Sequence, residues 1–342
     1  MKRLSVLLAV SIATLLVISL VCSCGAPKSE EPVTLRMTLA QPPMDGIPIA
    51  CQEMADRFNE RAGGKYIMEI YPGEQLAKYA ESMDAVRTGA VEMMNMGLGG
   101  YAGTVPEVAA GEIPFMYESV EANAAAEEGV MAAYDPVFQQ KANQKALASF
   151  TVTAMELISK KPVKTLEDWD GLLVGCSSVP GTALVESLGG SAVFIPFPEI
   201  YSAMEKAVID ATVQVPEFTL EAGKLYEVGS YFTSFYALGS VHGATINLDV
   251  WNKMPKSTQD LLLEEIKTTF NALNEEKAVK YYNDIEALED LVDVYYLPKA
   301  ERDRWQEALQ PYVDEQMAAL GEVAQQCKQI ADEANSMHPY PY

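Results

Sequence analysis

The longest uninterrupted apolar stretch stands at the very start of the chain. Leu4 to Cys22 is uncharged and strongly apolar behind Lys2 and Arg3, and Ser23, Cys24 and Gly25 follow. Charge, apolar core, then small residues is the order of an export signal. We read residues 1–23 as that signal and 24–33 as a polar tether. No later segment has the uncharged length a membrane helix needs. From Thr34 to Leu39 polar and apolar residues alternate, as in a half-buried strand. Ala40-Gln41-Pro42-Pro43 breaks it, and Ile47, Cys51, Met54 and Phe58 then recur on one face of a helix closed by Gly63-Gly64. A strand at 66–71 stops at Pro72-Gly73. A helix carrying Tyr79, Met83 and Val86 and a short strand at 91–97 come next. Strand and helix in alternation argue for a parallel, helix-covered sheet.

The alternation restarts in the middle. The pattern predicts strands at 150–159, 172–176, 193–196 and 209–215, with helices at 180–188 and 201–208. The last third is different: from Ser257 to Leu297 there is neither glycine nor proline, and Leu262, Ile266, Phe270 and Leu273 keep helical spacing. Two long helices with a strand at 292–297 between them are expected to brace the rest. The fold class is therefore α/β, two α/β units in series with long C-terminal bracing helices. Domain I covers 34–151 plus about 241–280, and domain II covers 152–240 plus about 281–342. No sequence repeat links the two.

Composition narrows the chemistry. The chain has 48 acidic against 25 basic residues, and loss of Lys2 and Arg3 with the signal takes the net charge from −23 to −25. Such an excess opposes nucleic acid, whose recognition needs a positive field. Cys51, Cys176 and Cys327 have no metal spacing, with one disulfide among them left open, and two histidines make a His-based zinc site improbable. The methionines of Val91 to Met96 alternate faces on a strand and belong in a core. Gly97-Leu98-Gly99-Gly100 lacks the lysine and hydroxyl of a phosphate loop. No Gly-x-Ser-x-Gly elbow occurs and one histidine lies in the body of the chain, so a serine hydrolase is not expected; paired carboxylates could still serve a glycosidase, and no cofactor is expected.

Several segments in order carry a resemblance. They are Tyr71-Pro72-Gly73-Glu74-Gln75-Leu76, Ile113-Pro114-Phe115, and Asp168-Trp169-Asp170-Gly171-Leu172. Pro196-Phe197-Pro198-Glu199-Ile200-Tyr201-Ser202-Ala203-Met204 with Val208-Ile209-Asp210, and then Trp251-Asn252-Lys253-Met254-Pro255, complete the series. Together they resemble the TRAP-type (tripartite ATP-independent periplasmic) solute-binding proteins over about 34–320. Val21-Cys22-Ser23-Cys24 likewise resembles a lipobox, with Cys24 as the lipidated residue. The resemblance implies a two-domain periplasmic-binding-protein-like fold joined by a hinge, in a periplasmic or extracytoplasmic binding protein tethered to the membrane by lipid. It closes on a small organic ligand, usually a carboxylate, and docks on the small and large membrane subunits of a permease. A sensor-coupled receptor would share the fold, and a glycosidase-type hydrolase is the remote alternative.

One departure matters. Gly171-Leu172-Leu173-Val174-Gly175-Cys176 puts Gly175 where relatives carry an arginine that grips the ligand carboxylate two-pronged. Glycine there is expected to leave a void, so the ligand either lacks the usual carboxylate or has its charge met elsewhere. Glu156 stands where some relatives have a second arginine. Phe197 and Gln214 take positions of ligand contacts in the family. Gln41, Met44, Tyr79, Met96 and Cys176 lie near predicted strand ends, where α/β sheets bind ligands.

Overall fold

A computed structural model describes residues 32–176, 178–195, 199–239 and 241–342. The proposed signal, most of the tether, Cys24 and Phe197 lie outside them. Eleven strands are found among the described residues: β1 Val33–Leu39, β2 Tyr66–Tyr71, β3 Met93–Gly97, β4 Gln144–Thr151, β5 Met155–Ser159, β6 Leu173–Cys176, β7 Ser191–Phe194, β8 Ala211–Gln214, β9 Tyr231–Leu238, β10 Val241–Asn247 and β11 Asp293–Tyr296. The helices are α1 Gly46–Arg61, α2 Tyr79–Arg87, α3 Val120–Ala142, α4 Val179–Ser187, α5 Ile200–Glu205, α6 Pro216–Leu220, α7 Leu248–Lys253, α8 Lys256–Glu289 and α9 Lys299–Met337. No helix among the described residues is long and apolar enough to cross a membrane.

The strands form two sheets, ordered β2-β1-β3-β10-β4 and β7-β6-β8-β5-β9-β11. The two orders match position by position, with β11 added at one edge. Each sheet takes in the strand that follows the other's last one: β5 leaves β4 for the second sheet, and β10 leaves β9 for the first. In both, the incoming strand runs antiparallel to its two neighbours, while β1 and β3, and β6 and β8, are parallel. The sheets are thus mixed, which corrects the all-parallel expectation.

The predicted strand at 150–159 is in fact two strands in two sheets. The break lies at Val152-Thr153-Ala154, where Thr153 has φ 145°, a conformation a β-branched residue adopts only under constraint. An apolar run cannot reveal that change of direction. The sequence pattern also missed α3, β9 and β10. Buried positions on α3 run round much of the helix, from Val120, Asn123 and Ala126 to Tyr134 and Phe138, so no single stripe announces it.

Alternation works as expected in β3. Met93 packs with Cys51, Phe58 and Phe270 on one side, and Met94 and Met96 pack with Val130 and Tyr134 on the other. The helix α8 lies on α1 and β4 of the first sheet and on α6 and β11 of the second. Gly321 (φ 62°, ψ −132°) breaks α9 into two arms, and α9 packs on both α3 and α4. The three described cysteines are unpaired and buried.

Candidate functional site

In α/β sheets ligands sit beyond the carboxyl ends of the strands, so the ends of β1 and β3, and of β6 and β8, define the region of interest. At the end of β3 the chain is shaped by glycine. A Cβ on Gly97 would stand 3.1 Å from His242 Nε2 and 3.4 Å from the Tyr79 hydroxyl. One on Gly99 would overlap the Glu112 carboxylate, and one on Gly100 the Tyr79 ring. Absent side chains at these positions let an imidazole, a carboxyl and a phenol close on the strand end.

These groups are only partly committed. The Tyr79 hydroxyl donates to the Gly97 carbonyl (2.6 Å), and its ring stacks on Tyr101 at 5.2 Å. Gln41 Nε2 stands 3.5 Å from His242 Nδ1, and Gln41 Oε1 is buried with no partner among the described residues. Glu112 accepts from the Val241 N–H at 3.4 Å. Burial pushes the Glu112 pKa up to about 7, against the N–H groups of Val241 and Gly99. Burial, and then the positive charge of Lys277, push His242 down to about 4. At neutral pH the imidazole is therefore neutral and keeps one nitrogen as an acceptor. Met44, from the same loop as Gln41, is 87% exposed. Met96 is fully buried in the core.

The second sheet treats its equivalent positions differently. Glu156, at the start of β5, pairs in register with Gln214 at the end of β8. Its carboxylate accepts from Phe235 N (2.6 Å) and Tyr236 N (3.1 Å) and from the Tyr281 hydroxyl. Those N–H groups belong to a bulge in β9, where Tyr236 has φ 47°. Both oxygens of Glu156 are thus taken up in supporting the bulge. Arg302 supports the same bulge from behind by donating to the Phe235 and Tyr236 carbonyls.

Gly175 is corrected in its consequence. There is no void beside it, because Ile209 Cδ1 lies 2.6 Å from where a Cβ would stand, with Ile195 and Thr212 next to it. Cys176 also points inward: it is 2% exposed and packs with Leu184 and Val185, and burial pushes its thiol up to about 12. The Gln214 amide is buried, 3.5 Å from the Thr212 hydroxyl. Asp210 accepts from Leu173 N at 3.2 Å and holds the start of β6.

Three residues in this region escaped the sequence reading: His242, Glu112 and Lys277. Lys277 is 8% exposed, and its Nζ lies 3.3 Å from Glu217 Oε2 in the first turn of α6, just after β8. The signal was present, since Phe270, Leu273, Lys277 and Tyr281 share the buried stripe of α8. A charge on an apolar stripe is the informative exception to burial rules.

Two mixed sheets of matching strand order, with polar groups gathered at a strand end of the first, make the architecture of a two-lobed solute-binding protein. Residues 40–320 match the family described as bacterial extracellular solute-binding protein, family 7 (DctP), and the chain belongs to that family of TRAP-type binding proteins. Among relatives, it is 26% identical to a monocarboxylate 2-oxoacid-binding periplasmic protein of Nostoc over 76% of this chain and 74% of the relative. A TRAP periplasmic solute-binding protein from Ochrobactrum anthropi superposes with a TM-score of 0.81 at 21% identity, covering 91% of this chain and all of that one. Another, from Desulfovibrio salexigens with bound orotic acid, gives 0.74 at 21% identity over 89% and 99%.

Proposed function

We propose that this chain is the extracytoplasmic solute-binding subunit of a TRAP-type transporter, held to the membrane by a lipid on Cys24. It captures one small organic molecule between its lobes and hands it to small and large membrane subunits. The observation that carries the reading is the polar cluster at the end of β3, where Gln41, His242, Tyr79 and Glu112 converge and Gln41 Oε1 is buried without a partner among the described residues. Contacts to both sheets would favour a closed state over an open one, and that difference in affinity drives the closure. Gly175 supplies no guanidinium, so the ligand is one that does not need a two-pronged arginine, and simple dicarboxylates are disfavoured.

The test is a thermal-shift screen of the purified chain with separate carboxylate, amine, neutral polar and aromatic sets. A ligand of the native state raises the melting temperature by mass action, by roughly 2.7 kcal/mol of stability at a hundred times its Kd. A clear rise in one set supports solute capture, and no rise in any set removes the reading. Incorporation of labelled fatty acid that is lost in Cys24→Ser checks the anchor.

A further inference from the structure

The family pattern and this chain disagree about charge. The arginine expected at Gly175 is absent, and the space it would start from is filled by Ile209. Yet a buried cation does lie between the ends of the two sheets, supplied by a different element. Lys277 comes from the middle of α8, one turn beyond Asn274, whose Oδ1 accepts from Thr151 N at the end of β4. One turn further, Tyr281 donates to Glu156 at the start of β5. Lys277 is thus level with Val152 to Ala154, where the chain passes from one sheet to the other. Its ammonium reaches Glu217 beyond β8, and its charge is felt at His242 on the first sheet.

An ammonium carries three donors. Among the described residues Glu217 is the one hydrogen-bond partner of Nζ, at a long 3.3 Å. Burying a lysine is costly unless it is well paired, and a single long bond to a carboxylate whose own side chain is 32% exposed is a weak return. Arg302, the other deeply buried cation, has Nε and Nη2 on the carbonyls of Tyr117, Phe235 and Tyr236, while its Nη1 has no hydrogen-bond partner among the described residues. Three of its bonds hold the backbone of the fold, whereas the single bond of Lys277 goes to a partly exposed side chain.

We infer that Lys277 selects the charge of the ligand: its ammonium takes the acidic group of a small monoanionic solute, in place of an arginine at position 175. The inference rests on the solute-binding reading above and names the class of solute. One ammonium, partly balanced by Glu217, matches one negative charge. A second carboxylate would face two oxygen groups, Gln41 Oε1 and the Glu112 carboxyl, with the Nε2–H of His242 as the one donor, since His242 Nδ1 takes the Gln41 amide. The rest of the solute is therefore expected to offer hydroxyl or N–H donors to those groups. Glu217 acts as an internal competitor, holding Lys277 until the solute's acid displaces it.

The competitor makes the idea testable in a way a plain structural ion pair is not. Calorimetric titration of the full chain would use pyruvate, pyroglutamate, orotate and galacturonate as monoanions, succinate and malate as dianions, and xylitol as a neutral probe. The expected result is that a monoanion binds tightest, that Lys277→Gln weakens it roughly 10- to 100-fold, as for loss of a charged hydrogen bond, and that Lys277→Arg retains most of the affinity. Glu217→Gln should bind the same monoanion several-fold more tightly, whereas a merely structural pair would make both variants weaken it. A dianion or xylitol binding tightest, or unchanged affinity in Lys277→Gln, overturns the inference and leaves solute binding standing. Failure of every probe, with the wild-type chain folded, overturns both.

Discussion

The two sheets are built on the same order, and their corresponding ends have been put to different uses. In each, the incoming antiparallel strand brings a polar residue to the end of the third strand: His242 opposite Gly97 in the first sheet, Glu156 opposite Gln214 in the second. In the first, glycines clear the space and Gln41 Oε1 is left without a partner among the described residues. In the second, a bulge in β9 points two N–H groups at the carboxylate and consumes it. The same topological position is a candidate contact in one lobe and a structural plug in the other. Position in the fold shows where chemistry can occur, and the count of satisfied hydrogen bonds shows whether it is free to.

The largest effect that follows falls on the plug. Glu156→Ala would strand two buried N–H groups and a phenol, each costing about 1–3 kcal/mol when left unpaired. We expect a loss of roughly 3 kcal/mol or more in urea unfolding, with Glu156→Gln losing less because one acceptor oxygen remains. A loss below about 0.5 kcal/mol for the alanine variant would mean that the bulge does not depend on the carboxylate, and the contrast between the lobes would fail.

Next comes Gly175. If an arginine were simply missing, Gly175→Arg would restore a tight carboxylate anchor. The contact with Ile209 predicts instead a cost of roughly 1–3 kcal/mol from overpacking and no gain in affinity for succinate. Gly175→Arg with Ile209→Ala should recover part of the stability. Tight succinate binding by the single variant would show that the space can open and would bring the two lobes' histories closer together.

Much of this architecture was legible in the sequence where periodicity carries it. Ile47, Cys51, Met54 and Phe58 marked α1, and Leu262 to Leu273 marked α8, because each buries one stripe. Thr153 and the exchange of β5 and β10 were not legible, since a change of sheet leaves no trace in a run of apolar residues. The site was harder. Gln41 and Tyr79, offered by their place near predicted strand ends, lie at the polar cluster; Met96 and Cys176, offered on the same grounds, are buried in the cores, and Glu156, offered from the resemblance, holds the β9 bulge. Spacing gives the strand end and not the direction of a side chain or the number of its partners. Lys277 and His242 were missed for the converse reason: they come from α8 and the unpredicted β10, elements with no family motif to draw attention to them.

The smallest effect lies at the end of the first sheet, where two groups pull against each other with pH. His242 has its folded pKa near 4, below the ordinary value of 6.5, so its contribution to stability is present above 6.5 and is lost as pH falls toward 4. Glu112 has its folded pKa near 7, above the ordinary 4.5, so its contribution is present below 4.5 and is lost as pH rises through 7. Between pH 5 and 7 the two slopes oppose each other. His242→Gln should leave stability at pH 7 within about 0.5 kcal/mol, and relative to wild type it should gain on the order of 1 kcal/mol at pH 5. Glu112→Gln should shift the difference the other way, losing relative to wild type at pH 5. Melting curves at the two pH values read both differences directly. Equal slopes in all three proteins would mean that the cluster is open to water, and the lobes would then differ in bonding but not in burial.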